Sequence, residues 1–111
     1  KEFIAHLDKV IYDNISDFDL NVDELSRLMN MSRPTLYRKI KGLSDLTPNE
    51  LIHVTRLKRA AEILAEGDMR INEVAMMVGY SIQSNFSRDF SKQFGMSPTQ
   101  FLEYLKTDKK D

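Results

Sequence analysis

Two groups of arginine, amide and hydroxyl side chains lie roughly 50 residues apart, and each group directly follows a short turn sequence. Arginine can donate two hydrogen bonds to guanine in the major groove, and asparagine or glutamine can do the same to adenine. Lysine and serine are better suited to the phosphate backbone. These residue types therefore indicate surfaces that contact nucleic acid. The outward positions are Arg33, Pro34, Tyr37, Arg38 and Lys41 in the first group, and Gln83, Ser84, Asn85, Ser87, Arg88 and Lys92 in the second.

The two groups belong to an internal repeat. Residues 22–52 and 71–102 match in their apolar, serine and basic positions. The offset is 49 residues up to Ser32/Ser81 and 50 residues from Leu36/Phe86 onward, because the second copy has one extra residue between the serine and the first buried aromatic. A repeated pair of short helices with cations just after the turn is typical of helix-turn-helix units. The sequence thus predicts two such units in one chain.

The turn inside each repeat has the residues that such a unit requires. Asn30 in one copy and Gly79 in the other suit the left-handed backbone that ends the first helix of a pair. Ser32 and Ser81 are expected to cap the helices that carry the two groups, because a short hydroxyl can accept from the free amides of the first turn. The apolar residues of these helices are four apart and should face the core: Leu36 and Ile40 in one copy, Phe86 and Phe90 in the other.

Helical apolar spacing runs through almost the whole chain, and no alternating stretch is long enough for a strand. Asn21, Thr47 and Ser97 are expected to cap the second, fourth and seventh helices, while Gly67 and Gly95 should end helices. We therefore predict an all-α fold of seven helices. A long central helix (48–66) joins two helix-turn-helix subdomains, residues 1–47 and 67–111. The seven predicted helices are residues 2–15, 22–29, 33–41, 48–66, 71–78, 82–94 and 98–106.

The charge is unevenly distributed along the chain. The net charge of the whole chain is −1, which by itself argues against an anionic partner. However, residues 1–24 hold two basic and seven acidic side chains, whereas residues 25–44 hold five basic and no acidic ones. Acids on a distant face cost little, since repulsion is screened over a Debye length of about 8 Å. Charge runs on helices are usually solvated faces, but their coincidence with the turn in both copies favours a binding role.

Other kinds of function lack the residues that they would need. The chain has no cysteine, no long apolar run and no signal-peptide pattern, which indicates a cytoplasmic domain without membrane contact. His6 and His53 have no converging acids beside them, so neither a metal site nor an enzyme is expected, and no cofactor is required. The methionines, including Met29, Met31, Met76 and Met77, are expected to fill gaps in the core.

Each of the two repeats contains a motif that resembles one of a known protein family. The first contains S-R-P-T-L-Y-R-K-I-K-G-L, and the second contains G-Y-S…N-F-S-R-x-F…F-G-M-S-P. With them the chain, from about Asp8 to Tyr104, closely resembles the DNA-binding domain of the AraC/XylS family of bacterial transcription regulators. The resemblance implies two recognition helices in successive major grooves. It also implies base contacts at Pro34, Tyr37, Arg38, Gln83, Ser84, Asn85 and Arg88, and phosphate contacts near Arg33, Lys41, Ser87 and Lys92.

Two residues depart from the family pattern. Pro34 offers no donor where relatives often present a larger side chain, so base reading in the first unit would rest on Tyr37 and Arg38. Ser91 stands where a lysine is usual, which would weaken the grip on the backbone in the second unit. The amino-acid sequence of the first repeat most resembles the output domain of hybrid two-component sensor proteins. The sequence does not begin with Met, and we interpret the chain as a fragment of a longer protein.

The expected function is a sequence-specific DNA-binding domain that regulates transcription. Double-stranded DNA is the expected ligand, RNA polymerase an expected partner, and dimerisation is expected through upstream domains. The alternative is a helical protein–protein interaction module, which would present an apolar groove. The two hypotheses differ in one measurable property, because only DNA binding predicts an affinity that falls steeply with salt.

Overall fold

The computed structural model describes residues 2–109, which form seven helices and, within that range, no strand. The all-α prediction is confirmed. The bounds of α3 and α4 are the predicted ones, and the other helices differ from prediction by one to three residues at one end. The helices are α1 (Glu2–Asp13), α2 (Val22–Leu28), α3 (Arg33–Lys41), α4 (Pro48–Glu66), α5 (Ile71–Met77), α6 (Gln83–Phe94) and α7 (Pro98–Lys109).

The chain divides into two compact units, an N-terminal unit (Lys1–Thr55) and a C-terminal unit (Arg56–Asp111), with the boundary inside α4. At the repeat offsets, Leu7 in α1 corresponds to Arg56 in α4, and Pro48 at the start of α4 corresponds to Pro98 at the start of α7. Each unit therefore contains the same four helical elements in the same order. The division into residues 1–47, 48–66 and 67–111 stays a prediction.

Aliphatic side chains fill the core of the N-terminal unit. Ile11 of α1, Leu25 of α2 and Leu36 of α3 are fully buried, and Ile40 and Ile52 are nearly so. Leucine and isoleucine at helical spacing bury one face of each helix, and the loss of apolar area to water supplies most of the favourable free energy of packing. The core thus fixes α3 in place and leaves its opposite face free.

Buried aromatic side chains distinguish the core of the C-terminal unit, which also contains aliphatic residues. Phe86 and Phe90 of α6 are fully buried with ring centroids 5.6 Å apart. The Phe90 ring also contacts Phe94 at 4.6 Å and Phe101 of α7 at 5.6 Å. Tilted and edge-on arrangements of this kind are the favoured geometries of aromatic pairs. The predicted inward positions of α3 and α6, Leu36 and Ile40 in one unit and Phe86 and Phe90 in the other, are confirmed.

A buried arginine of α4 contacts the end of α5 in the C-terminal unit. Arg56 is 3% exposed, and its Nη1 donates a hydrogen bond of 2.7 Å to the backbone carbonyl of Val78. Val78 ends α5 immediately before the turn. Since a buried cation must be hydrogen-bonded to be tolerated, this contact ties the second half of α4 to the turn.

The expectation that all the named methionines fill the core is wrong for two of them. Met29 is buried, but Met76 and Met77 are 57% and 43% exposed. The buried face of α5 is formed by Val74 and Ala75, which are shorter and leave the two methionines on the side away from the core. An apolar residue type was therefore insufficient evidence of burial here.

Candidate nucleic-acid interface

The turn between the paired helices has the same backbone geometry in both units. Asn30 and Gly79 have positive φ values of 61° and 92°, as predicted. The next residue donates its N–H to the carbonyl five positions earlier, at 3.1 Å from Met31 and at 2.9 Å from Tyr80. This pattern satisfies carbonyls at the end of the preceding helix and redirects the chain. The turn thus delivers the start of α3 in one unit and the start of α6 in the other.

Ser32 caps α3 as predicted. Its Oγ accepts a hydrogen bond from the backbone N–H of Thr35 at 3.3 Å and donates to the Thr35 hydroxyl at 2.9 Å. Pro34 lies in the first turn of the helix, where its missing N–H costs nothing and its fixed φ is already helical. The first turn of α3 is therefore held rigidly at the exposed end of the unit.

The prediction that Ser81 caps α6 is wrong. The helix begins at Gln83, its N-cap residue is Ile82, and no side-chain hydrogen bond caps it. The cap position lies four residues before the first fully buried residue of the helix, which gives Ser32 before Leu36 but Ile82 before Phe86. The extra residue of the second copy therefore moves Ser81 out of the cap position.

The residues predicted to contact bases in the N-terminal unit all lie on α3. Pro34 and Arg38 are exposed, whereas Tyr37 is half-buried and packs against the aliphatic core. Among residues 2–107, the Arg38 side chain has no hydrogen-bond or ion-pair partner. The arginine side chain is therefore available to an external acceptor, and Tyr37 is anchored beside it.

The predicted phosphate contacts of the same unit are already engaged within it. Arg33 Nη1 lies 3.1 Å from Asp23 Oδ1, and Lys41 Nζ donates to the backbone carbonyl of Asp45 at 3.2 Å. Both side chains remain exposed. Because exposed pairs of this kind contribute little free energy, a phosphate can replace either partner at small cost.

The acidic start of the chain partly neutralises the basic stretch that follows it. Glu24 forms a hydrogen-bonded ion pair with Arg27, and this contact lowers the pKa of the Glu24 carboxyl. Asp23 forms an ion pair with Arg33. The asymmetry seen along the sequence is therefore weaker in space, although of the α3 cations only Arg33 forms an ion pair with an acid of the described residues.

The residues predicted in the C-terminal unit are gathered on one helix. All lie on α6, which also buries Phe86 and Phe90 on its opposite face. The exposed ones are suited to contacts with a ligand, and the half-buried ones are restricted in their reach. Gln83, Ser84, Arg88 and Lys92 are exposed, and Asn85 and Ser87 are half-buried.

An acidic residue of α6, which the sequence interpretation missed, contacts the predicted base-reading arginine. Arg88 Nε donates to Asp89 Oδ1 at 3.3 Å, and the Tyr80 hydroxyl donates to Asp89 Oδ2 at 2.9 Å. Burial raises the pKa of the Tyr80 hydroxyl, and its hydrogen bond to Asp89 raises the pKa further. The available signal was a single aspartate within an otherwise basic and polar helix, following a tyrosine at the turn.

The described part of the chain has an apolar groove but no candidate metal site and no membrane-spanning helix. Residues 2–107 contain no group of three or more His, Cys, Asp or Glu that could hold a metal ion. No helix in the same range is long and apolar enough to cross a membrane. The N-terminal unit has an apolar groove of about 180 Å³ lined by residues that include Ile4, Ile40, Leu43 and Leu51. Such a groove is what the interaction-module hypothesis predicts.

Known proteins with related sequences include transcriptional regulators and a histidine kinase. The family model described as a helix-turn-helix domain matches residues 25–104. Histidine kinase P4 of Formosa agariphila is 37% identical over 93 residues, which is 84% of this chain and 7% of the kinase. The probable transcriptional regulator LumQ of Photobacterium leiognathi is 30% identical over 107 residues, which is 93% of this chain and 43% of the regulator. The chain thus spans less than half the length of both relatives.

Solved structures share the fold of the whole chain. A transcriptional regulator of the AraC-type DNA-binding class from Chromobacterium violaceum superimposes with a TM-score of 0.84 at 21% identity, covering 94% of this chain and 92% of the other. The DNA-binding domain of AdpA, a global transcriptional factor solved in complex with a target DNA, gives a TM-score of 0.84 at 22% identity, covering 94% and 93%. The seven-helix architecture is therefore common to these proteins.

Proposed function

The chain belongs to the AraC-type family of helix-turn-helix DNA-binding domains, and we propose that it binds DNA through α3 and α6 in successive major grooves. The observation that supports this most directly is the repeated turn: the same backbone path, at Asn30 and at Gly79, leads into a helix with a buried apolar face and an exposed polar one. A helix presented in this way is what enters the major groove in helix-turn-helix proteins.

The exposed side chains have distinct proposed roles. Arg38 and Arg88 suit bidentate contacts to guanine, and Gln83 and Asn85 suit adenine. Pro34, Tyr37 and Ser84 would complete the base-reading surfaces by shape and apolar contact. The side chains proposed to bind phosphates are Arg33, Lys41, Ser87 and Lys92, which would position the helices without reading sequence.

The domain is proposed to act within a larger regulator. Each unit has few proposed phosphate contacts, so a single domain should bind weakly, and dimerisation through other parts of the protein would raise the effective concentration of the second site. The similarity to a histidine kinase over a small part of that kinase supports a sensor as the source of the signal. RNA polymerase is the proposed downstream partner, and the bacterial cytoplasm, where the chromosome lies, is the proposed location. We propose a DNA-binding role for the domain and no catalytic function.

Binding-site selection from a random duplex pool tests this function. Wild-type protein would be compared with Arg38→Ala and Arg88→Ala at two salt concentrations. We expect a discrete motif with two parts, of which each variant loses definition in one part. Affinity should fall steeply with salt, because phosphate contacts release bound counterions.

The same experiment separates the two hypotheses. A pool that stays unstructured, with binding that is weak and indifferent to salt, would contradict DNA recognition and favour the interaction module. A single-part motif would show that one unit alone reads bases.

A further inference from the structure

The side chains of Tyr80, Arg88 and Asp89 form a connected group in the C-terminal unit. The Asp89 carboxylate accepts one hydrogen bond on each oxygen, from the Tyr80 hydroxyl at 2.9 Å and from Arg88 Nε at 3.3 Å. The Asp89 side chain is 28% exposed, while that of Arg88 is 69% exposed. The carboxylate therefore lies between a core residue and a side chain that reaches the surface.

Tyr80 is a rigid anchor for this group. It is 7% exposed, and its ring packs edge-on against Phe86 with centroids 5.4 Å apart. Burial and the neighbouring carboxylate both raise the pKa of its hydroxyl, so it keeps its proton and remains a donor at neutral pH. The position of Asp89 is thus fixed by the packing of the aromatic core.

The contact with Asp89 restricts how Arg88 can be used. A guanidinium has five N–H donors in a planar fork, and Asp89 occupies the Nε–H. The two terminal amino groups remain, and they are a pair that can donate to O6 and N7 of guanine. Fixing a flexible side chain before binding also removes part of the entropy cost of ordering it in the complex.

The first copy of the repeat provides an internal reference. There Met31 corresponds to Tyr80 and Lys39 corresponds to Asp89, so neither an anchor nor an acceptor is available to Arg38. Lys39 instead lies 5.3 Å from the centroid of the Phe3 ring. The arrangement in the C-terminal unit is therefore not a consequence of the shared backbone.

We propose that Tyr80 and Asp89 are positioning residues that set the direction in which Arg88 reads a base pair, a role that rests on the proposed function of α6. The carboxylate near the DNA surface also repels phosphates, so its removal should strengthen binding to unrelated DNA. Asp89 thus raises specificity and lowers general affinity. A residue that merely supported the fold would raise both or neither.

The test uses the full chain and the duplex selected from the random pool. Dissociation constants would be measured for that duplex, for each single base-pair variant and for a scrambled duplex. The proteins are wild type, Tyr80→Phe, Asp89→Asn, Arg88→Ala and Arg88→Ala/Asp89→Asn. Tyr80→Phe keeps the buried ring, and Asp89→Asn keeps the size of the side chain, so both variants should fold.

Discrimination at the base pair read by Arg88 should fall about tenfold in Arg88→Ala, within the range for one bidentate pair. Asp89→Asn and Tyr80→Phe should lose about three- to tenfold at the same base pair and nothing in the other half of the site. Asp89→Asn should bind the scrambled duplex at least as tightly as wild type. In the Arg88→Ala background, Asp89→Asn should cause no further loss of discrimination.

Three results would overturn the inference. Unchanged discrimination in folded Asp89→Asn and Tyr80→Phe would show that Arg88 needs no positioning. A loss that persists in the Arg88→Ala background would assign base reading to Asp89 itself. If wild type selected no motif at all, the proposed function would fail and the inference with it, and this outcome is distinguishable because it appears before any variant is compared. The matched control is Lys39→Asn, the corresponding change in the first copy, which should weaken binding to all duplexes alike.

Discussion

The two units share a backbone plan but fill it with different side chains. Asn30 and Gly79 both have a positive φ at the turn, yet the helix after it buries aliphatic side chains of its own in one unit and phenylalanines in the other. Leu7 in one unit corresponds to the buried Arg56 in the other. What the units have in common is therefore the presentation of a helix, and what differs is how that helix is held.

The difference extends to the two arginines proposed to read bases. Arg38 has no side-chain partner within residues 2–107, whereas Arg88 donates to Asp89. A free arginine can adapt to more than one acceptor, while a fixed one loses less entropy on binding but accepts fewer arrangements. We therefore expect the C-terminal unit to be the more selective reader.

The largest expected effect tests whether each core supports its own unit. Phe86→Ala should cost about 3–5 kcal/mol, since it removes a fully buried ring and leaves a cavity. A unit of this size has a stability of only about 3–8 kcal/mol. In a ¹H–¹⁵N NMR spectrum, we expect the amide signals of α5 and α6 to collapse while those of α2 and α3 stay dispersed.

The matched change Leu36→Ala should cost about 2–5 kcal/mol and give the opposite pattern. Phe86→Leu, which introduces the residue of the first copy, serves as the control for size and should be milder. Simultaneous collapse of both units in either alanine variant would show that they are not separate folding units, and the comparison between them would lose its basis.

Much of this fold could be predicted because the information is local. Asn21, Thr47 and Ser97 accept or exchange hydrogen bonds at the helix starts where they were expected, and Gly67 and Gly95 have positive φ values at helix ends. Capping depends on residues within one turn, so it is visible in the sequence. The prediction that Ser81 caps α6 failed because it placed the cap at the matching serine. The cap position is instead set by its distance from the first buried residue of the helix, Phe86.

The candidate site was less predictable because it depends on contacts between helices and turns. The ion pair of Arg33 with Asp23 and the hydrogen bond of Tyr80 with Asp89 join residues on different elements. Apolar periodicity reports which face of a helix is buried, but not which polar side chains meet on the other face. Apolar residue type also failed to predict the exposure of Met76, because shorter neighbours already form the buried face of α5.

A smaller effect is expected from replacing the buried arginine by its counterpart in the other unit. Arg56→Leu removes the donor to the Val78 carbonyl, and leaving that group unsatisfied should cost about 1–3 kcal/mol. The midpoint of urea unfolding measures this loss, provided that the slope is unchanged. Leu7→Met is the control in the N-terminal unit and should be nearly neutral. An equally stable Arg56→Leu would mean that apolar packing replaces the hydrogen bond fully.

The phosphate contacts should differ between units by a still smaller amount. Lys92 is exposed on α6, whereas Arg33 already pairs with Asp23. On a fixed non-specific duplex, Lys92→Ala should reduce the slope of log K against log salt by about 0.9, the value for one phosphate contact. Arg33→Ala should reduce it less, and Asp23→Asn should strengthen binding by releasing Arg33. Equal slopes for both alanine variants would show that the ion pair with Asp23 does not compete with phosphate.

The smallest expected effect concerns two equivalent helix starts, of which only one can titrate. At α4 the Thr47 N–H donates to Glu50 Oε1 at 2.8 Å, and at α7 the Ser97 N–H donates to Gln100 Oε1 at the same distance. The hydrogen bond from Thr47 holds the pKa of Glu50 below its usual value of 4.5. A lowered pKa means that the contribution is complete above about 4.5 and is lost as the pH falls through the folded-state value.

Glu50→Gln should therefore be slightly less stable than wild type at pH 7 and no less stable in acid. Gln is a neutral acceptor at every pH, whereas Glu50 is a charged acceptor only above its lowered pKa. Urea midpoints at pH 7 and at a series of lower pH values measure this difference, and the Glu24–Arg27 pair cancels because both proteins contain it. The reciprocal variant, Gln100→Glu, should transfer the same pH dependence to α7. If the wild type and Glu50→Gln lost stability in parallel, the two helix starts would be energetically equivalent, and the acid sensitivity of the N-terminal unit would have to come from its other carboxylates.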